Sequence, residues 1–203
     1  VYIVLFIFTS CDHSKSNIRD GAYFGAGESM GQEITLKLAR RSLYENDLDR
    51  SDSLLHKVDS LKLSKSTSGF YYLTKGFLDY KNGYVSSAIN YIEKASVLFD
   101  KYGNEESKAE ENLVWGLIYE EVNLPSKAAE SFYSAMEYYQ ARPQELEYFY
   151  LLLGLIRTSP DSSEFSNKAE EYTRLHKIAG ISVYIRKLWH ISKIMREKGF
   201  SSI

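Results

Sequence analysis

The sequence predicts an all-α chain arranged as a solenoid of antiparallel helix hairpins. Gly76, Gly116 and Gly154 each sit inside an apolar and aromatic run with the three-and-four spacing of a helix. Seven residues after each comes a turn former, Gly83, Asn123 and Asp161, and similar residues stand at Asp47 and Gly199, giving intervals of 36, 40, 38 and 38 residues. A period in this range marks an array of helix pairs, none of which can bury its apolar face alone. Three prolines in 203 residues leave long stretches free of the strongest helix breaker.

Composition narrows the class of function. An apolar fraction of 44% and a charged fraction of 26% suit an ordinary globular core. The formal charge of −2 gives no drive toward nucleic acid, so no nucleic-acid partner is expected. The charge is uneven, with Glu105, Glu106, Glu110, Glu111, Glu120 and Glu121 in one segment and Arg174, Lys177, Arg186, Lys187, Lys193, Arg196 and Lys198 in another. Solvated helix faces explain this, and so does contact with an acidic partner or another copy's acidic segment.

The first element is an address. Residues 1–8 are apolar without a break, and Thr9, Ser10 and Cys11 follow. Eight residues cannot span a bilayer, which takes roughly 20. The length suits the core of a signal peptide. Thr9-Ser10-Cys11 resembles the lipobox of bacterial lipoproteins, with Phe8 where that family prefers Leu. The resemblance implies cleavage before Cys11, acylation of its thiol and a lipid anchor. A buried cysteine behind a short apolar element is the other reading. The expected organisation is a signal-peptide remnant over 1–10, a lipidated tether over 11–27 and the repeat domain over 28–203.

The first hairpin runs from Leu36, Ala39 and Leu43 through the turn Glu45-Asn46-Asp47 to Leu54, Val58 and Leu61. The second is the clearest. Tyr72, Leu73, Gly76, Phe77 and Tyr80 make one stripe, Lys81-Asn82-Gly83-Tyr84 a turn, and Ala88, Ile92, Ala95 and Leu98 the returning stripe. Gly76 and Ala88 are small because the two helices of a tight hairpin approach closely only over short side chains. The third is built on Gly116, Ala128, Phe132 and Ala135. In the fourth, Ala169 follows Gly154 by fifteen residues, which implies a loop longer by three, supplied by residues 159–163. A last stripe, Ile181, Tyr184, Leu188, Ile191 and Met195, is followed by another turn signal at Gly199. It is either a lone capping helix or half of a hairpin that continues past Ile203, and the renewed turn signal favours continuation.

This pattern resembles the tetratricopeptide repeat. That family places a small residue in its first helix, an Ala twelve residues on, an aromatic sixteen on and an Ala nineteen on. Gly76 is followed by Ala88, Ile92 and Ala95, and Gly116 by Ala128, Phe132 and Ala135, with Tyr119 at the family's first-helix Tyr. The first hairpin has Ser53 where the Ala belongs. The resemblance implies a right-handed superhelix of about 3.5 repeats. The spacing exceeds the family's ~34 residues, which implies hairpins about a turn longer or longer links such as Lys101-Tyr102-Gly103-Asn104.

The family binds ligands on a concave groove lined by first helices. By resemblance the groove comprises Phe70, Leu73, Phe77 and Tyr80, then Glu110, Leu113, Leu117 and Glu120, then Tyr148, Leu151, Leu155 and Thr158. Relatives that clamp a peptide carboxylate use Lys and Asn there. This chain has Leu73, Phe77, Leu113 and Leu117, so an amphipathic or apolar segment is the expected ligand.

Nothing in the sequence argues for catalysis. His13, His56, His176 and His190 show no helical metal-pair spacing, so neither metal nor cofactor is expected. Glu110 and Glu111 fall at solvent-facing spacing, whereas acid–base chemistry needs a buried carboxyl. Trp115 and Trp189 lie on apolar stripes and are expected in the core. The expected function is a non-catalytic protein- or peptide-binding module or scaffold, lipid-anchored in the cell envelope and facing the periplasm. The lipobox-like start, the many tyrosines and the Asp/Asn turns resemble Bacteroidetes-type proteins. In some of these a repeat array precedes a membrane helix and a cytoplasmic output, so the sensor half of a longer regulator or kinase is the alternative.

Overall fold

Three hairpin turns share one backbone device. At Asn46, Gly83 and Asn123 the chain adopts a positive φ of 61°, 83° and 60°. At Gly83 the N–H of Tyr84 donates back to the Asp79 carbonyl at 2.8 Å, and at Asn123 the N–H of Leu124 donates to the Tyr119 carbonyl at 2.8 Å. Asp47 does the same to Ser42 at 2.8 Å. Each turn thereby satisfies carbonyls that a helix end leaves orphaned. Gly and Asn tolerate the left-handed region best, which is why these residue types punctuate the repeat.

A computed structural model describes residues 28–159 and 162–176, with His190, Ile191, Lys193 and Ile194. Among the described residues the chain is all-helical, with eight α-helices and one 3-10 turn. The helices are α1 (Glu28–Tyr44), α2 (Leu48–Leu55), α3 (Lys65–Lys81), α4 (Val85–Tyr102), α5 (Glu105–Glu121), α6 (Pro125–Tyr139), α7 (Leu146–Thr158) and α8 (Ser162–Leu175). They form two compact bodies, one up to Asn104 and one from Glu105. In the first body α1 pairs with α2, α3 with α4, and α1 and α2 both pack on α3. In the second α5 pairs with α6, α7 with α8, and α5 and α6 both pack on α7.

The hairpins close over glycine. A Cβ on Gly76 would stand 2.4 Å from Ile92 Cδ1, and one on Gly116 would stand 2.4 Å from Phe132 Cε1. Ala88, Ala95, Ala128 and Ala135 are fully buried at the same register. Phe132 meets a second glycine as well, for a Cβ on Gly154 would stand 2.6 Å from its Cε2. One ring of α6 therefore fills the space above glycines of both α5 and α7.

The first hairpin corrects two expectations. The left-handed turn residue is Asn46, and Asp47 is instead the N-cap of α2, accepting the Arg50 N–H at 3.1 Å. The residue equivalent to Ala88 is therefore the buried Ser51, two before the expected Ser53, and its N–H bonds the Asp47 carbonyl as Ala88 bonds the Tyr84 carbonyl. Ser53 is exposed. The returning stripe is also shorter than expected. Helix α2 ends at Leu55, and Lys57 and Val58 tighten into bonds with the carbonyls of Leu54 and Leu55. Val58 is buried, but Leu61 lies in the 3-10 turn Ser60–Lys62 and is 95% exposed. Asp59 starts that turn and takes the Gln32 amide oxygen of α1 on its N–H at 2.9 Å.

Only Gly103 and Asn104 separate α4 from α5, so the forty-residue interval from Gly83 to Asn123 comes from helices of 18 and 17 residues in α4 and α5. The fourth hairpin does not carry a longer loop either. Helix α7 ends at Thr158 and α8 begins at Ser162, a gap no wider than the one between Lys81 and Val85. Ser162 and Ser163 are helical, and both Ser166 and Ala169 are buried. Its turn is different in kind, since Ser159 is extended at φ −89°, ψ 144° and shares a hydrogen bond of 2.5 Å with Tyr133 of α6. Asp161, residues 1–27, the stripe from Ile181 to Tyr184 and Leu188, and the signal at Gly199 lie outside the described residues.

Candidate functional site

The residues expected to line a groove serve the packing of the hairpins. Leu73 and Phe77 of α3 are buried, with the Phe77 ring 5.0 Å from Tyr44 of α1. Phe70 is half-buried between Phe99, at 5.0 Å, and the Arg40 guanidinium, 4.0 Å over its ring. Tyr80 is half-buried and stacks on Phe77 at 6.2 Å. In the second body Leu113, Leu117, Tyr148, Leu151 and Leu155 are buried. Burial raises the pKa of the Tyr148 hydroxyl. Thr158 turns its hydroxyl to the Gly154 carbonyl at 2.9 Å. Glu120 is engaged by a residue the sequence did not single out, Arg157 of α7, whose Nε and Nη2 reach its two carboxylate oxygens, the latter at 2.7 Å. Cys11 lies outside the described residues.

Glu110 and Glu111 are both buried, against the expectation of a solvent-facing position. Helical spacing places them on one turn, but what packs over that turn is a tertiary fact that spacing does not carry. Lys108 approaches Glu111 at 3.4 Å. Trp115 is only half-buried and stacks on Tyr119 at 5.3 Å. His56 and His176 are exposed, and the His176 ring stacks on Tyr172 at 4.2 Å. Trp189 is outside the described residues. Among the described residues no cluster of His, Cys, Asp and Glu suits a metal, and no helix is long and apolar enough to cross a membrane.

A different surface gathers unlike chemistry. Helix α3 carries Tyr71, Tyr72 and Lys75 on one side, and α4 carries Tyr91 and Lys94 three residues apart. The turn at Gly83 folds the two helices together so that these five side chains meet. Tyr72 and Tyr91 stack at 6.3 Å across the hairpin, and Tyr71 meets Tyr72 edge-on at 5.7 Å. The Lys75 ammonium lies 5.2 Å from the Tyr91 ring and 5.7 Å from Tyr71. The Lys94 ammonium lies 5.3 Å from Tyr91 and 5.8 Å from Tyr72. Ammonium groups over tyrosine faces are held by the ring quadrupole.

Both lysines remain free of carboxylate partners among the described residues. Asp79 stands four residues after Lys75, a spacing that ordinarily forms an ion pair. Its carboxylate instead takes the Ser87 hydroxyl at 2.5 Å. Partial burial of Lys75 lowers its pKa, but Tyr71 and Tyr91 outweigh this by charge and hydrogen bonding, and the net shift is upward. The group stays cationic. The result is a shelf of three aromatic rings with two charges that no carboxylate among the described residues neutralises.

No family model matches the chain, and no curated protein or solved structure matches it.

Proposed function

We propose that this chain is a non-catalytic tetratricopeptide-like module that binds a protein or peptide. In this reading its hairpins stack as a right-handed superhelix, and acylated Cys11 holds it on the periplasm-facing side of the cell envelope. The observation that carries it is the repeated joint. Gly76 under Ile92 and Gly116 under Phe132 recur forty residues apart, with buried Ala88 and Ala128 and left-handed Gly83 and Asn123 in step. An architecture that repeats its joints while varying the side chains between them presents a scaffold for recognition. An amphipathic or apolar segment suits the aromatic surface.

The test is selection of a random peptide library against the chain from Cys11 onward. Enrichment of related amphipathic peptides supports the module, and a library that yields no reproducible binder rejects it. The anchor is tested separately by feeding cells a clickable fatty acid. Label on the wild type and none on Cys11→Ala supports acylation, and equal label on both rejects it.

A further inference from the structure

We infer that the surface formed by Tyr71, Tyr72, Lys75, Tyr91 and Lys94 docks an acidic, amphipathic segment of a partner protein. The segment's carboxylates would meet the two ammonium groups, and its apolar side chains would lie on the tyrosine rings. This rests on the binding-module reading and names the site and the chemistry of its ligand.

Charge complementarity is the first argument. Lys75 and Lys94 stand 5.2 and 5.3 Å from the same Tyr91 ring, so two positive charges border one aromatic face cluster. Neither has a carboxylate partner among the described residues, and the nearest candidate on the helix, Asp79, is occupied by Ser87. A carboxylate brought there gains charge-assisted hydrogen bonds in a partly desolvated place, where they are stronger than on an open surface.

The second argument is internal comparison. Forty residues on, the α5–α6 hairpin keeps the joint: Gly116 for Gly76, Leu113 for Leu73, Ala128 for Ala88 and Ala135 for Ala95. It keeps none of the shelf. Glu111, Asn112, Trp115, Ser131 and Ser134 stand in place of Tyr71, Tyr72, Lys75, Tyr91 and Lys94. Folding a hairpin of this kind does not require three tyrosines and two lysines there.

The third argument selects a peptide over a lipid surface. Insertion into a bilayer needs apolar side chains that stand clear of the protein. Here Tyr71, Tyr72 and Tyr91 are half-buried and lie against one another. Such a shelf suits side chains laid across it.

The test uses the chain from Cys11 onward and a fluorescein-labelled peptide of alternating Glu and Leu, read by anisotropy. Binding is expected, weakening with added salt. Lys75→Gln and Lys94→Gln should each weaken it about tenfold and the double variant about a hundredfold, as loss of one charge-assisted bond per lysine implies. Lys127→Gln, on the α5–α6 hairpin, should leave it unchanged, and circular dichroism should show all variants folded. Equal binding of a Lys–Leu peptide, or full affinity in the double variant, overturns the inference. Library peptides that lack acidic residues and bind wild type and double variant alike overturn it while the module reading stands; failure to select any peptide overturns both. Lysine-dependent binding to phosphatidylglycerol–phosphatidylethanolamine vesicles without peptide binding also overturns it.

Discussion

Arg157, near the end of α7, grips Glu120, near the end of α5, through two nitrogens on two oxygens. Both side chains are about nine-tenths buried, at 10% and 13% exposed. The pair ties two neighbouring helices together across 37 residues of sequence. Removing one partner strands a buried charge, so Arg157→Met or Glu120→Leu should each cost about 3–5 kcal/mol. The double variant should cost less than either single one. Urea unfolding of the three variants checks this, and simple additivity would show that the two residues do not act as a pair.

Gly116 should be intolerant where Gly31 is not. A Cβ on Gly116 runs into the fully buried ring of Phe132, and Gly116→Ala should cost about 1–3 kcal/mol through overpacking. Gly31 lies within α1 with nothing inside 4 Å of its would-be Cβ. Gly31→Ala should raise stability by about 0.5–1 kcal/mol, the difference in helix propensity. Thermal melts of both variants test the pair, and a Phe132→Leu background should relieve part of the Gly116→Ala penalty.

The left-handed turns predict opposite signs for related substitutions. Gly83→Ala places a Cβ at φ 83° and should cost about 1 kcal/mol. Asn123→Gly removes one at φ 60° and should be neutral or stabilising by a few tenths of a kcal/mol. Matching losses at both sites would contradict the left-handed assignment.

Lys81 makes stability depend on pH on the alkaline side. Burial of the ammonium lowers its pKa from 10.5 to about 8. Between those two values the unfolded chain holds a proton that the folded chain has released. Unfolding therefore takes up protons, and stability rises with pH across this window. Below about 8 both states are protonated and this contribution is flat. Denaturation midpoints should climb through the window in the wild type and climb less in Lys81→Gln.

The repeats were legible because their signals are local. Gly76, Gly116 and Gly154 stood out as small residues in apolar stripes, and each faces a large side chain. The turn at Asn46-Asp47 lies one residue before the spacing's expectation because both residue types suit turns, and only the backbone tells which one turns left-handed and which one caps. Leu61 kept the helical spacing of its stripe, but α2 had already ended. Tertiary facts were not legible. Glu110 and Glu111 look solvent-facing by spacing, and the expected groove residues Leu73, Phe77, Leu113 and Leu117 look available, until neighbouring helices cover them. The pairing of Glu120 with Arg157 spans 37 residues and leaves no periodic trace. The tyrosines and lysines of α3 and α4 were visible in the sequence, but their convergence depends on how the hairpin folds one face onto the other.

The placement of Phe132 has a consequence for how the second body opens. Its ring closes the hairpin of α5 and α6 and also covers α7, so neither α5 nor α7 can lift away without exposing the same aromatic surface. Amide hydrogens along α5, α6 and α7 should therefore exchange together, through one shared opening event. A cut between α6 and α7 would leave a fragment with an uncovered ring, so the smallest autonomous piece of this body includes both the α5–α6 and the α7–α8 hairpins.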